Sequence, residues 1–406
     1  MRFRMFAGLL LALLSANATA TIGTIDQVPG ATLLFPHFEV NTATDSGVTT
    51  ILTIQNASAT AILGSVTLWT DYGVPTAHFN IYLTGYDQQT IDLGDTFRRR
   101  FTPITGSDGQ DPQDLISPQG PFSQDINFAS CYTTLPEPEG SRISFDLIRA
   151  HTGQSSVDYL GGLCGGRNYG DGIARGYVTV DTANQCTSSN PTSPGYFVNG
   201  GAGVATSQNV MFGEYTIVDR ARNRFLTESA VAIEASYNNP LVDGPGDYTF
   251  YGRLHGFSGA DNREPLPTAF AARYASARTD VDYWRDPAVP VAPFTCGTTP
   301  AAFPMGQRHV TVFNDAGAVL SNPTGNLFPY AAGTASGASL SLTQPLGWLF
   351  ANLNLSAPSG PTGAIRQSWM SFRQVPRLVP SNSPMGYSVP GIQLGNASTG
   401  ADPILP

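Results

Sequence analysis

The stretch 47–85 alternates apolar and polar residues with a period of two, and this pattern constrains the fold more than any other feature. In its first run Leu52 and Ile54 share one side, while Thr53 and Gln55 take the other. Two further runs alternate in the same way, and the turn-forming segments "QNASAT" and "DYGVPT" separate the three. Such alternation is typical of strands with one buried face. The stretch is therefore predicted to form a three-stranded antiparallel meander, whose apolar face a second layer must cover.

Similar short runs recur along most of the chain. They include "ATLLFPHFEV", "QQTIDLGD", "SRISFDLIRA", "ARGYVTVDTA", "NVMFGEYTIVD", "FLTESAVAIEAS", "DYTFYGRLHGF", "RHVTVFND", "ASLSLT", "GWLFANLNLS" and "IRQSWMSFRQV". Pro36 indicates an edge strand or a bulge. Residues 271–277 fit a short helix, whereas "TDVDYW" just after them fits a strand. The predicted fold class is all-β, with antiparallel β-sandwich or jelly-roll-like domains, long loops and little helix.

Shifts in composition predict how the chain is organised. A long polar segment around residues 98–140 interrupts the strand-like runs, and the last residues are rich in Pro, Ser and Gly. The predicted division is a signal peptide (1–20), an N-terminal β-sandwich block (21–125), a middle β block with the four cysteines (126–300), a C-terminal β block (301–380) and an irregular tail (381–406).

The first twenty residues, "MRFRMFAGLLLALLSANATA", have the pattern of a secretory signal peptide. Arg2 and Arg4 precede an apolar stretch at 6–14, and Ala18-Thr19-Ala20 resembles a cleavage site. The protein is therefore expected to be exported, to the periplasm or outside the cell. No later stretch has the ~18 apolar residues of a membrane helix, so no transmembrane segment is expected in the mature chain. The net charge of −9 argues against a nucleic-acid partner.

The four cysteines are Cys131, Cys164, Cys186 and Cys296. An even number in an exported chain predicts two disulfides. Three pairings are possible, and we favour Cys131–Cys164 with Cys186–Cys296. The alternative is a catalytic thiol at Cys164, in "GGLCGGRNYG". No CxxC pair indicates a zinc site.

Several phrases together resemble a group of exported bacterial β-rich proteins. They are "FPHFEVNTATDSGVTTILTIQNASATAI", "VTLWTDYGVPTAHFNIYLTGYDQQTIDL", "ARGYVTVDTANQC", "GADNREPLPTAFAARY" and "PFTCG", and they span most of the mature chain. The resemblance implies secretion and a shared β architecture. It carries over no activity and no catalytic residues.

One acidic loop is a candidate metal site. Asp108, Asp111 and Asp114 lie together in "SDGQDPQD". Calcium prefers several oxygen ligands and often ties down loops of extracellular β-proteins. A solvated acidic loop is the alternative, and no other cofactor is indicated.

Two further segments are candidate contacts for glycans. In "TDVDYWRD" the rings of Tyr283 and Trp284 flank the carboxyl group of Asp282, a combination that suits sugar binding. The alternative is a strand with the rings in the core and the acids outside. The basic cluster "FRRRF", with Arg98 to Arg100, suits an anionic glycan or a lipid headgroup, or is simply solvated.

Motifs for catalysis are missing from the sequence. There is no HxH or HExxH arrangement and no GxSxG nucleophile elbow, so no catalytic residue is assigned. The expected function is a non-enzymatic, structural or adhesive role at the cell envelope or outside the cell, with envelope components or glycans as partners. The alternative is a carbohydrate-active protein, either a glycan-binding module or a glycosidase. A glycosidase needs two carboxylates, and spacing does not single out a pair among 30 acids.

Overall fold

The chain is built mainly of antiparallel strands. The computed structural model describes residues 28–107, 131, 143–197, 203–221, 224–235, 249–255, 261–274, 279–287, 289–354, 367–374, 387–390 and 392–393. The first nine strands are β1 (Thr32–Asn41), β2 (Val48–Asn56), β3 (Ile62–Thr70), β4 (Pro75–Leu83), β5 (Gln88–Asp92), β6 (Ile173–Ala183), β7 (Met211–Asp219), β8 (Arg224–Ser229) and β9 (Val231–Ile233). The others are β10 (Ala269–Tyr274), β11 (Thr279–Arg285), β12 (His309–Asn314), β13 (Val319–Ser321), β14 (Ala332–Ala335), β15 (Gly347–Asn352), β16 (Ser368–Gln374), β17 (Tyr387–Pro390) and β18 (Ile392–Gln393).

Helix is confined to short pieces in the described residues. Two α-helices whose bounds the structure describes are α1 (Asp146–His151) and α2 (Val157–Leu160). A π-helical turn covers Asp95–Arg99, and 3₁₀ turns cover Thr105–Ser107 and Gly252–Leu254. The predicted all-β class, with little helix, is confirmed.

Two antiparallel sheets form the first sandwich. One has the strand order β4-β3-β6-β1-β9, and the other has the order β5-β2-β7-β8. Their facing sides bury one apolar core, to which Phe35, Leu52, Val66, Val180 and Tyr215 contribute. Removal of this apolar surface from water is the main favourable term in such a fold.

The prediction of a three-stranded meander is wrong for one of its strands. β3 and β4 pair side by side, with Val66 opposite Phe79, but β2 pairs with β5 and β7 in the facing sheet. Alternation shows that a strand has one apolar face but not which sheet the strand joins. Leu52 and Ile54 of β2 bury that face across the core from the β3 sheet rather than beside β3.

Pro36 lies at a bulge, which confirms one of the two predicted explanations for it. The pairing of β1 with β6 shifts register between Phe35 and Phe38. β1 is not an edge strand, because it lies between β6 and β9. The bulge accommodates a residue that has no N–H for the strand ladder.

Two more antiparallel sheets form a second sandwich. Their strand orders are β13-β12-β15-β10-β18 and β14-β11-β16-β17. Phe270, Val281, Val310, Leu349 and Phe372 lie in the core between them. The helix alternative for residues 271–277 is wrong where the structure describes them, because β10 is extended and pairs with β15.

Three runs that were predicted as strands adopt other structures. "SRISFDLIRA" contains α1, in which Leu147, Ala150 and His151 are buried at helical spacing. "DYTFYGRLHGF" contains the 3₁₀ turn Gly252–Leu254, and "ASLSLT" forms turns around the buried Leu340. Each run has few apolar residues in a row, so a strand and a short helix fit it equally well.

The sheets do not follow the blocks predicted from composition. β6 and β9, from the predicted middle block, complete the first sandwich, and β10 and β11 pair with strands of the predicted C-terminal block. β17 and β18 lie in the segment predicted as an irregular tail. Composition follows order along the chain, whereas strand pairing joins segments that are distant in sequence.

Aromatic rings fill the junction between the two sandwiches. Trp69 of β3 stacks on Tyr177 of β6, with ring centroids 5.6 Å apart. Trp284 of β11 lies edge-on to Tyr177 at 6.0 Å and stacks on Phe250 at 5.3 Å. All four rings belong to one buried cluster, so the sandwiches share an interior.

A buried ion pair crosses the same junction. Arg253 Nη1 lies 2.9 Å from Asp286 Oδ1, and both side chains are almost fully excluded from water. Arg253 Nη2 also donates to the Tyr177 hydroxyl at 3.2 Å, and Gln367 Nε2 donates to Asp286 Oδ2 at 3.3 Å. Charges at this depth are tolerated only when paired and hydrogen-bonded.

A second buried carboxylate, that of Asp181, is held by hydroxyl groups and a guanidinium. The hydroxyls of Thr32, Tyr196 and Tyr251 donate to it, the Tyr196 hydroxyl at 3.0 Å. Arg263 Nε lies 3.6 Å from Oδ1. Burial nevertheless raises the pKa of Asp181, because loss of water outweighs these favourable contacts.

Two disulfides tie loops to this frame, and their pairing differs from the favoured one. Cys131 bonds to Cys186, and Cys164 bonds to Cys296. Cys164 is placed by a backbone bridge to Phe294, with N–H···O distances of 2.8 and 2.9 Å in the two directions. Spacing along the chain does not reveal such a long-range bridge. Two disulfides indicate an oxidising, exported environment.

Removal of the Cys164–Cys296 disulfide is expected to lower the free energy of unfolding by about 2–4 kcal/mol. The bond closes a span of 132 residues, so its loss frees the unfolded chain considerably. Urea denaturation of the double variant Cys164→Ser/Cys296→Ser measures the change. The matched control is Cys131→Ser/Cys186→Ser, which opens a span of only 55 residues and should cost less. Equal stability of the first variant and the wild type would contradict the prediction.

Candidate functional site

The predicted glycan platform does not lie on the surface. The side chains of Tyr283 and Trp284 are 2% and 0% exposed, and Asp282 is 4% exposed. Asp282 pairs with Arg373, with Nε and Oδ2 at 2.9 Å, and accepts a hydrogen bond from Thr334. β11 is an inner strand that is buried on both faces. These three residues therefore hold the sandwich together and offer no ring face to an external sugar.

The other predicted contacts have mixed outcomes. Asp108, Asp111 and Asp114 lie outside the described residues. Within the residues that are described, no group of three His, Cys, Asp or Glu side chains could hold a metal ion. The alternative of a catalytic thiol at Cys164 is wrong, because its sulfur is in a disulfide.

The basic cluster at Arg98 to Arg100 is largely paired. Arg98 Nε lies 2.7 Å from Asp45 Oδ1, and Arg99 Nη2 lies 2.9 Å from Asp45 Oδ2. Arg99 also pairs with Asp95 at 2.7 Å, and the Arg100 guanidinium lies over the ring of Phe145. The neighbouring carboxylates therefore neutralise much of the positive charge of this cluster.

A different surface feature brings chemistry together, in the loop that leads into β6. This loop, residues 165–173, is called the cavity loop below. It follows the disulfide at Cys164, and residues 167–170 within it are exposed. The disulfide at one end and a central strand at the other fix both ends of the loop.

Two arginines and two tyrosines stack across the cavity loop. The Arg167 guanidinium lies over the rings of Tyr169 and Tyr330, at 4.7 and 4.9 Å from their centroids. The Arg175 guanidinium lies over Tyr169 at 4.5 Å. Arg167 also donates a hydrogen bond to the Tyr330 hydroxyl. Cation–π contacts of this kind restrict both partners, so the Tyr169 ring is held in place.

Ion pairs and turns fix the same loop from the other side. Arg175 pairs with Asp171 at 2.7 Å and with Glu39 at 3.2 Å. The Asn168 side-chain oxygen accepts the N–H of Gly170 at 2.8 Å, which closes a tight turn. The positive φ of Gly170, +72°, is a conformation that glycine adopts without strain.

A cavity of about 280 Å³ lies against this loop. Its lining combines the end of α1 with the loop, and is mostly polar. The polar side chains that line it are Thr152, Gln154, Asn168, Tyr169 and Asp171.

A buried acid lies at the base of the loop. Asp71, in the turn between β3 and β4, is 1% exposed, and its Oδ1 accepts the N–H of Arg167 at 3.0 Å. Its backbone oxygen accepts the N–H of Ala331 at 2.9 Å, just before β14. Burial raises the pKa of Asp71 to about 7, against the opposing effects of the Arg167 N–H, the Tyr169 hydroxyl and Arg175.

His151 lies in the interior next to β6. His151 is 1% exposed, and its Nε2 lies 2.7 Å from the Thr76 hydroxyl. Its Nδ1 lies 2.9 Å from the Arg175 carbonyl oxygen. Burial lowers the pKa of His151 to about 4, so this side chain is neutral at pH 7.

The sequence has one feature that points to this site, namely arginine and tyrosine residues among glycines before β6. By itself, "GGLCGGRNYG" suggests only a possible thiol motif at Cys164. Arg167 and Tyr169 are exposed and lie among glycines, a pattern typical of a surface loop. Tyr330 is 163 residues from Arg167, so no local sequence pattern could include it.

The fold and the loop define an all-β, sandwich-like protein with a constrained polar surface cavity. No protein-family model matches the chain, nor does any curated protein or any solved structure. Among the described residues, none of the helices is both long enough and apolar enough to cross a membrane.

Proposed function

We propose that this chain is an exported β-sandwich protein with a non-enzymatic, structural or adhesive role at the cell envelope or outside the cell. The observation that carries the proposal is the cavity loop. It is an exposed loop with an Arg–Tyr stack, fixed by the Cys164–Cys296 disulfide to a double sandwich. Rigid surface loops on a stable frame are a common means of binding partners.

The location in the periplasm or outside the cell is part of this proposal. Two disulfides suit an oxidising compartment, and the first twenty residues have the pattern of a signal peptide. A calcium ion at Asp108, Asp111 and Asp114 would add to the fixing of loops. Envelope components or glycans are the proposed partners.

Selective retention on envelope material tests the proposed function. The purified mature chain, residues 21–406, should be retained on the envelope fraction of the producing cell and not on inert beads. Addition and removal of calcium tests whether the acidic loop takes part. Retention of the Cys164→Ser/Cys296→Ser variant should fall, because the disulfide no longer fixes its cavity loop. Absence of retention for a folded wild-type protein would contradict the adhesive role.

A carbohydrate-active protein is the second candidate. The polar cavity beside Tyr169 favours it, because amides, hydroxyls and an aromatic ring are the groups that recognise sugars. Release of reducing ends from a panel of polysaccharides would identify a glycosidase. Binding without release would identify a binding module.

A further inference from the structure

We propose that the cavity beside the cavity loop binds a neutral saccharide unit. This inference rests on the proposed adhesive function and assigns it a class of ligand. The cavity, about 280 Å³, is slightly smaller than most ligand pockets, which measure roughly 300–1,000 Å³. It therefore suits one or two sugar rings at the end of a glycan rather than a large apolar ligand.

The amide side chains in the cavity keep unused hydrogen-bonding atoms. Gln154 Nε2 donates to the Thr152 hydroxyl at 3.0 Å, and Asn168 Oδ1 accepts the N–H of Gly170. Gln154 Oε1 and Asn168 Nδ2 form no hydrogen bond with any residue that the structure describes. One acceptor and one donor thus remain for sugar hydroxyls, which can both donate and accept.

The charge in the cavity wall is already compensated. Asp171 is the only carboxylate among its lining residues. Both of its oxygens accept hydrogen bonds from Arg175, at 3.1 and 2.7 Å. A bidentate pair of this kind is strong and directional. An anionic ligand would meet the paired carboxylate and gain no unpaired cation from this wall, so the chemistry favours a neutral ligand.

The aromatic wall of the cavity is fixed before any ligand binds. Tyr169 is 39% exposed, and the guanidinium groups of Arg167 and Arg175 hold its ring. Tyr169 lines the cavity, so an aromatic side chain that is already fixed forms part of its wall. Fixing a wall in advance lowers the entropy that binding costs.

Isothermal titration of the mature chain with neutral and acidic trisaccharides tests the proposal. Maltotriose, cellotriose and xylotriose are the neutral probes, and trigalacturonic acid is the acidic one. At least one neutral probe should bind more tightly than the acidic probe. The double variant Gln154→Ala/Asn168→Ala should bind it at least about 10-fold more weakly, since two hydrogen bonds are lost.

The control variant is Gln88→Ala, which removes an exposed amide from β5, far from the loop in the sequence. Its affinity should be unchanged. Failure of all neutral probes, preference for the acidic probe, or unchanged affinity of the double variant would overturn the proposal. Urea denaturation confirms that each variant is folded. Retention of the double variant on the envelope fraction would leave the adhesive role intact and overturn only the assignment of this cavity as its site.

Discussion

Replacing Asp286 by asparagine is expected to lower the free energy of unfolding by about 3–5 kcal/mol. The substitution leaves the Arg253 guanidinium at the junction of the two sandwiches without its carboxylate partner, which now lies 2.9 Å away. The side chains of Arg253 and Asp286 are 2% and 0% exposed, so water cannot replace the lost charge. Urea denaturation at pH 7, monitored by tryptophan fluorescence, measures the change.

An exposed pair of the same residue types provides the control. Arg273 and Asp315 form an ion pair in which each side chain is 54% exposed. Asp315→Asn should therefore cost less than about 1 kcal/mol. The double variant Arg253→Met/Asp286→Leu should recover much of the stability lost in Asp286→Asn, because no unpaired charge is then buried. Equal effects of Asp286→Asn and Asp315→Asn would show that the buried pair is unimportant.

The fold class could be predicted from the sequence because strand alternation is a local property. Alternation in β2, β3 and β4 located all three strands correctly. Their pairing could not be predicted in the same way, because β2 finds its hydrogen-bond partners at β5 and β7, up to about 170 positions along the chain. The same limit explains the disulfides, since a backbone bridge to Phe294 positions Cys164 beside Cys296.

The glycan prediction at Tyr283 and Trp284 shows a second limit. An aromatic residue beside an acid looks alike in a surface strand and in an inner one. In β11 the neighbours on both sides are strands, and the core of the second sandwich and the junction cover its two faces. The acid is then neutralised by Arg373, a residue whose role no local pattern shows. Burial on both faces is a property of the assembled sheets.

The cavity loop could be recognised from sequence only in part. Its glycines and polar residues predict an irregular, exposed segment. Its rigidity depends on Tyr330, Glu39 and Asp71, which come from three distant segments. A segment that looks flexible in isolation is therefore fixed by contacts that only the folded chain provides.

The contribution of Asp71 to the free energy of unfolding should rise as the pH falls from 7 to 4. Its pKa is raised from 3.8 to about 7 by burial, so the folded chain holds a proton that the unfolded chain releases across this range. The stabilisation is complete below pH 4 and is lost as the pH rises through 7. A difference of this size corresponds to about 4 kcal/mol. Glu264, whose pKa burial and Glu234 raise to about 8, acts in the same direction.

The variant Asp71→Asn isolates this effect, because it keeps an oxygen to accept the Arg167 N–H and cannot ionise. It should match the wild type at pH 4 and exceed its free energy of unfolding by about 4 kcal/mol at pH 8. Urea denaturation at a series of pH values between 4 and 8 measures both. Asp45→Asn is the control of opposite sign, since Arg98 lowers the pKa of the exposed Asp45 carboxyl, and its loss should reduce stability at neutral pH. If Asp71→Asn keeps the pH dependence of the wild type, the Asp71 carboxyl is ionised throughout, and burial at the base of the cavity loop does not control its protonation.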